Sequence, residues 1–255
     1  MKKETGMKAL ITGASSGIGR DIARALAARG VDLILTARRT ERLEELSSEL
    51  PVQVTVIPCD LSQEAECRAL YERVRPMNID ILVNNAGFGL FGTFAENSLE
   101  RELSMLDVNV RAVHILTKLF LRDMKEKDSG YLLNVASSAA FLPGPLLAAY
   151  YATKAYVLRL SEAIDEELRR DGSRVSVSVL CPGPVRTEFD QTANVRFSVK
   201  GLESSVVAEC AVNGMFRRKL IIIPGALMKC ARFFERFFSE KLLLRAAYHM
   251  QKRKR

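Results

Sequence analysis

Seven short apolar runs punctuate the chain, at residues 8–12, 31–37, 52–57, 79–83, 131–135, 174–181 and 220–224. Their length and their flanking Gly, Pro and Asn residues read as strands. Longer stretches with apolar residues at helical spacing lie between them. Ile18, Ile22, Ala25, Leu26 and Arg29 make one helix, with Gly30 as its stop. Further helices are expected over residues 40–50, from a Ser62 cap to about 75 with Glu64 and Glu66 at its positive end, over 99–124, through Tyr150 and Lys154 to about 170, and over 205–217. Residues 182–203 read as a loop with short helical parts. Strands alternating with helices make βαβ units, and these require a parallel sheet covered on both faces. Right-handed crossovers then give an α/β fold: a doubly wound seven-stranded parallel sheet whose ligands sit beyond the carboxyl ends of the strands.

At 255 residues the chain can bury a large core in one such domain, expected over residues 1–225. Residues 226–255 differ in kind. They carry nine Lys/Arg against two Glu, a net +7, while the other 225 residues carry only +1 of the formal +8. The basic character therefore gives no reason to expect nucleic-acid binding by the main domain. Five scattered cysteines without a C-x-x-C spacing argue against a disulfide framework or a metal site and for a reducing compartment. The lysines near the N-terminus are followed by no apolar h-region, and no uncharged apolar run approaches the roughly 18 residues of a membrane span. The expected location is cytoplasmic.

Gly13, Gly17 and Gly19 form a G-x-x-x-G-x-G turn between the first strand and its helix. Glycines there permit a tight turn and close approach to a pyrophosphate, and the helix N-terminus favours the anion. The second strand ends Thr36-Ala37-Arg38-Arg39, with no carboxylate to hold a ribose 2′-OH. A guanidinium there can instead bind a 2′-phosphate, so the cofactor expected is NADP(H), with NADPH preferred over NADH. The other reading of Arg38 and Arg39 is a helix start paired with Glu41 or Glu45. Asp60, after the third strand, is placed to accept from an adenine amino group or to sit at a helix N-terminus near Ser62. Farther on, Tyr150-Tyr151-x-x-Lys154 puts a phenol and an ammonium on one helix face, an arrangement that can lower a tyrosine pKa. Either tyrosine has the spacing to share that face with Lys154.

With the glycine turn, Asn84-Asn85-Ala86-Gly87, Asn109, Ser137, Tyr150-x-x-x-Lys154 and Pro182-Gly183 in this order, the sequence resembles the short-chain dehydrogenase/reductase family over about residues 7–224. The resemblance implies a Rossmann-type domain holding a nicotinamide cofactor through Gly13, Ser15, Ser16, Gly17, Ile18, Gly19, Arg38, Arg39, Asp60, Leu61, Asn85, Ala86, Gly87, Tyr150, Lys154, Pro182, Gly183, Val185 and Thr187. It selects Tyr150, because its pattern places the lysine four residues after the tyrosine. Ser137, thirteen residues before Tyr150, would hydrogen-bond the substrate oxygen. Tyr150 would transfer the proton. Lys154 would lower the Tyr150 pKa and hold the nicotinamide ribose, and Asn109 would hold a water that relays protons to Lys154.

The stretches 88–94 and 141–147 and the loop after Thr187 with Phe189 frame the substrate side. They are largely apolar and lack a basic cluster, which points to a lipophilic carbonyl or alcohol such as a steroid, acyl-chain or aryl ketone. A homodimer or homotetramer is expected. The tail has Phe233, Phe234, Phe237 and Phe238 at helical spacing among Lys and Arg, a pattern for an interfacial membrane helix, a cleft cover or an oligomer contact. The alternative to an enzyme is a non-catalytic NADP(H)-binding sensor or scaffold on the same fold, against which intact Ser137, Tyr150, Lys154 and Asn109 argue. The only histidines, His114 and His249, lie at no strand end, which argues against a Ser–His hydrolase.

Overall fold

A computed structural model describes residues 4–189 and 201–252. Seven strands form one parallel sheet: β1 (Lys8–Thr12), β2 (Asp32–Thr36), β3 (Val54–Val56), β4 (Ile81–Asn84), β5 (Tyr131–Val135), β6 (Ser176–Leu180) and, late in the chain, Ile221–Ile222. Their spatial order is β3-β2-β1-β4-β5-β6 followed by the Ile221–Ile222 strand. The order reverses between β1 and β4, so the switch point of the sheet lies where their carboxyl ends part.

The strands alternate in which face they feed. Ala9 and Ile11 of β1 join a core with Ile22, Leu26, Leu43, Val207 and Met215, while Leu10 joins the opposite core with Leu70, Leu82, Phe120 and Ile164. All are buried on their side of the sheet, which is why these strands read as unbroken apolar runs. Truncating any of these Leu side chains to Ala removes about 2–5 kcal/mol.

Helices α1 (Gly17–Ala27), α2 (Thr40–Glu49), α3 (Glu64–Val74), α4 (Leu99–Leu106), α5 (Val113–Glu126) and α6 (Ala148–Arg170) supply the cover, with a further helix over Ser204–Phe216. Arg29 is buried at the end of α1. Its guanidinium donates to the Ala25 carbonyl at 3.0 Å, and to Glu209 and Asn213 of the Ser204–Phe216 helix at 3.0 Å each.

Three local expectations are corrected. Ser62 is not the cap of α3: Gln63 holds that position without a side-chain bond, while the Ser62 amide donates to Asp60 Oδ1 at 3.1 Å. The helix expected over 99–124 is broken by a π-helical stretch at Asp107–Ala112, which contains Asn109. The loop expected over 182–203 holds a small parallel ribbon, Val185–Arg186 with Leu202–Glu203; residues 190–200 lie outside the described residues.

Beyond the sheet, the chain forms two helices, Ala226–Phe234 and Glu240–Lys252, joined through a turn at Glu235–Phe237. Among the described residues no helix is long and apolar enough to cross a membrane.

Candidate active site

The glycine turn is pressed against the end of β4. Gly13 and Gly17 have φ of +65° and +55°, a region glycine enters without strain. A Cβ on Gly13 would lie 2.8 Å from the Ala86 α-carbon, and one on Gly19 would lie 2.5 Å from the Gly13 carbonyl oxygen and closer still to Asn85 Nδ2. Asn85 Nδ2 donates to the carbonyls of Thr12 (2.9 Å) and Gly13 (3.1 Å), and Thr12 Oγ1 accepts from the amides of Asn85 and Ala86 at 2.9 and 3.1 Å. Thr12 is thus a component that no motif announced. Helix α1 begins at Gly17 with no acidic residue in its first turn, leaving its positive end to an anion from outside.

Arg39, rather than Arg38, reaches this turn. Its Nη2 donates to Ser15 Oγ at 3.2 Å and to Ser16 Oγ at 3.0 Å, while Nη1 donates to Glu188 Oε2 at 2.8 Å; Arg42 also pairs with Glu188. The two arginines hold the Glu188 carboxyl below the usual carboxylate range. Arg38 is exposed at the end of β2. The bonds of Arg39 run across the cleft, not to Glu41 or Glu45. Leu61 and Val185 are buried, Gly183 faces Met228 of the C-terminal extension, and the Pro182 carbonyl accepts from the Ser138 amide at 2.8 Å. Thr187 lies against Gly17, where a Cβ would meet its Cγ2 at 3.0 Å.

Ser137 follows β5 and Tyr150 lies in the first turn of α6, so two neighbouring elements bring their hydroxyls together. Burial pushes the Tyr150 phenol well above the ordinary tyrosine value, and the Ser137 side chain acts in the opposite direction. Ser137 Oγ also accepts from the Ala139 amide at 3.1 Å, which fixes its rotamer. Lys154 is one turn farther along α6, buried, with Nζ donating to the Val135 carbonyl at 2.9 Å and 5.9 Å from the Tyr150 ring centroid. Burial brings its pKa down to about 8. Burial is the largest influence on Tyr150, and Ser137 is the downward one.

Tyr151 faces elsewhere. Its ring lies over Gly144 and its hydroxyl accepts from Gln251 Nε2 of the C-terminal helix. Asn109 is fully buried in the π-helical stretch. Its Oδ1 accepts from the Phe88 amide at 3.1 Å, and its Nδ2 donates to the Phe88 carbonyl at 2.9 Å and Thr153 Oγ1 at 3.1 Å. A Cβ on Gly87 would be 2.9 Å from Asn109 Oδ1 and 3.3 Å from Lys154 Nζ. The missing Cβ of Gly87 thus leaves a space that both groups border.

The substrate-side stretches meet beside Tyr150. Leu90, Leu147 and Tyr150 pack with Phe88, Phe91 and Phe189, and the Phe189 ring stands 5.4 Å from that of Tyr150. Leu146 has φ +65°, and its carbonyl accepts from the Gly92 amide at 2.9 Å, tying the two stretches together. Nothing in the local sequence signalled that strained leucine.

A model of the short chain dehydrogenase family matches residues 7–196. The 17-beta-hydroxysteroid dehydrogenase type 3 of Homo sapiens is 31% identical over 210 residues, covering 80% of this chain and 67% of that protein. A short-chain dehydrogenase from Sphingobium yanoikuyae in complex with NADPH superposes with a TM-score of 0.80 at 31% identity, covering 92% of this chain and 97% of that one. A short chain dehydrogenase/reductase from Burkholderia phymatum in complex with NAD gives 0.83 at 26% identity, covering 91% and 93%.

Proposed function

The chain belongs to the short-chain dehydrogenase/reductase family of oxidoreductases, and from that premise we propose that it is an NADP(H)-dependent enzyme interconverting a lipophilic carbonyl and its alcohol. The observation that carries this reading is Tyr150 buried within the influence of Ser137, with Lys154 one turn away, set beside a glycine turn where any Cβ would clash.

The residues fit a dinucleotide. The Gly13–Gly19 turn and the open N-terminus of α1 suit the pyrophosphate. Arg39, with Ser15 and Ser16, offers donors to a 2′-phosphate, and Arg38 lies within the same turn of chain. Asp60 and Leu61 would border the adenine. Asn85, Ala86, Gly87, Pro182, Gly183, Val185 and Thr187 would border the nicotinamide half, with Ile18 beneath. The bound nicotinamide would supply or accept the hydride. Ser137 would donate to the substrate oxygen as negative charge develops on it. Tyr150 would give that oxygen a proton in reduction and take it back in oxidation. Lys154 would hold the ribose and steady the charge on Tyr150, and Asn109 would share a water with its Nζ. The apolar packing around Phe88, Phe91, Leu147 and Phe189 supports a lipophilic substrate, and so does the likeness to a hydroxysteroid dehydrogenase. Leu99, Leu103 and Leu106, exposed at helical spacing, support a homodimer or homotetramer, and free cysteines support a reducing, cytoplasmic setting.

The cofactor choice is tested by Arg39→Ala. Losing a charge-assisted pair to phosphate should lower kcat/KM for NADPH by about tenfold or more and leave NADH nearly unchanged, with Arg38→Ala milder. Equal losses for both cofactors would reject the phosphate-binding role.

A further inference from the structure

The two faces of the C-terminal extension are chemically different. The inner face packs on the substrate side of the domain. Arg232 lies 4.4 Å over the Phe141 ring and pairs with Glu235, Met228 covers Gly183, Ala247 and Gln251 are buried, and Gln251 bonds the Tyr151 hydroxyl. The outer face carries Leu227 at 71% exposure, Phe233 and Phe234 at 56%, Phe237 at 71% and Phe238 at 51%. Phe233 stacks edge-on against Phe234 and Phe237, with centroids 5.5 and 5.6 Å apart, so the exposed rings form one patch rather than scattered contacts. A contiguous apolar patch of this kind on a water-facing surface marks something that covers it.

The charge around the patch decides what. Lys229, Lys241, Arg245 and Lys252 are exposed on the same two helices, and residues 226–255 carry nine Lys/Arg against two Glu. A second copy meeting this face would bring the same net +7 against it, and like charges repel. An anionic bilayer answers both properties: its headgroups pair with the cations and its acyl boundary takes the rings. We propose that the outer face of residues 226–252 docks this protein on an anionic lipid surface. Because the inner face touches Phe141 and Tyr151, docking holds the substrate side next to the lipid. That consequence rests on the reductase reading; the docking does not.

The test is co-sedimentation of the full chain with vesicles of phosphatidylcholine alone and of phosphatidylcholine mixed with phosphatidylglycerol. Binding to the anionic vesicles should exceed that to neutral ones by about tenfold or more and weaken with added salt. Phe233→Ser with Phe237→Ser, and separately Lys241→Glu with Arg245→Glu, should each cut it by about tenfold or more. Circular dichroism, NADPH binding and the size-exclusion profile should stay as in the wild type. No vesicle binding by the wild type, or equal binding to both vesicle types, overturns the proposal. So does a phenylalanine pair that shrinks an oligomer while vesicle binding is absent, which would make a second copy the occupant. Vesicle binding by a protein that reduces no carbonyl would sustain the docking and sink the reductase reading instead.

Discussion

Lys154 is buried with its ammonium bonded to the Val135 carbonyl, and its pKa is brought down to about 8 from the ordinary lysine value of 10.5. Between those values the unfolded chain keeps a proton that the folded chain has released, so this group's contribution to stability rises with pH across that window. Cofactor binding should move the other way. The ammonium is what would meet the ribose, and it is lost as pH rises through about 8. NADPH affinity, followed by fluorescence titration, should weaken above that pH in the wild type and lose that step in Lys154→Met. A profile that is flat in both proteins would contradict the placement. At this scale Tyr150 in particular and Ser137 followed from the family resemblance, while the tyrosine–lysine spacing was visible in the chain because Tyr150 or Tyr151 shares a helix face with Lys154. Arg39 over Arg38, the Glu188 partner and the Gln251–Tyr151 bond were not. Each depends on a contact between residues far apart in sequence, and no local pattern encodes it.

The strand–turn–helix element at the N-terminus is where local sequence and tertiary packing agree most closely. Gly19 is helical, so its own backbone would accept alanine, yet its missing Cβ leaves room for Asn85 Nδ2 and the Gly13 carbonyl. Gly19→Ala should push the turn off β4, weakening NADPH binding by about tenfold or more and lowering Tm. Gly172, at the end of α6 with φ +65° and open space where a Cβ would project, is the matched control. Its change to Ala should cost only about 1 kcal/mol of backbone strain and leave cofactor binding untouched. Binding titration and thermal melts on the two variants separate these effects. Element types were readable because apolar periodicity sets them. The break at Asp107–Ala112 was not, since no Pro or Gly marks it and the stretch stays helical on either side. The Ser62 cap failed because Asp60 took the Ser62 amide, and the Asp60 amide donates to Glu66 Oε2 at 2.6 Å.

Taken whole, the molecule is a doubly wound sheet whose switch point gathers the glycine turn, the strand ends and the start of α6, with a cationic helical extension laid against Phe141, Tyr151 and Gly183. The sheet and its switch point follow from the alternation of runs along the chain. The direction of the extension does not, because amphipathic helices fit several surfaces equally well, and only the contacts of Arg232, Ala247 and Gln251 show which face is inward. On the reading proposed above, this architecture reduces a carbonyl through Tyr150. NADPH absorbance followed against a panel of ketones from polar sugars to steroids, in wild type, Tyr150→Phe and Tyr151→Phe, addresses it directly. Turnover should favour the lipophilic ketones, fall by about a hundredfold or more in Tyr150→Phe, and change little in Tyr151→Phe. NADPH bound tightly but never oxidised would mark a sensor rather than an enzyme, and turnover that survives in Tyr150→Phe but fails in Tyr151→Phe would overturn the assignment of the proton donor.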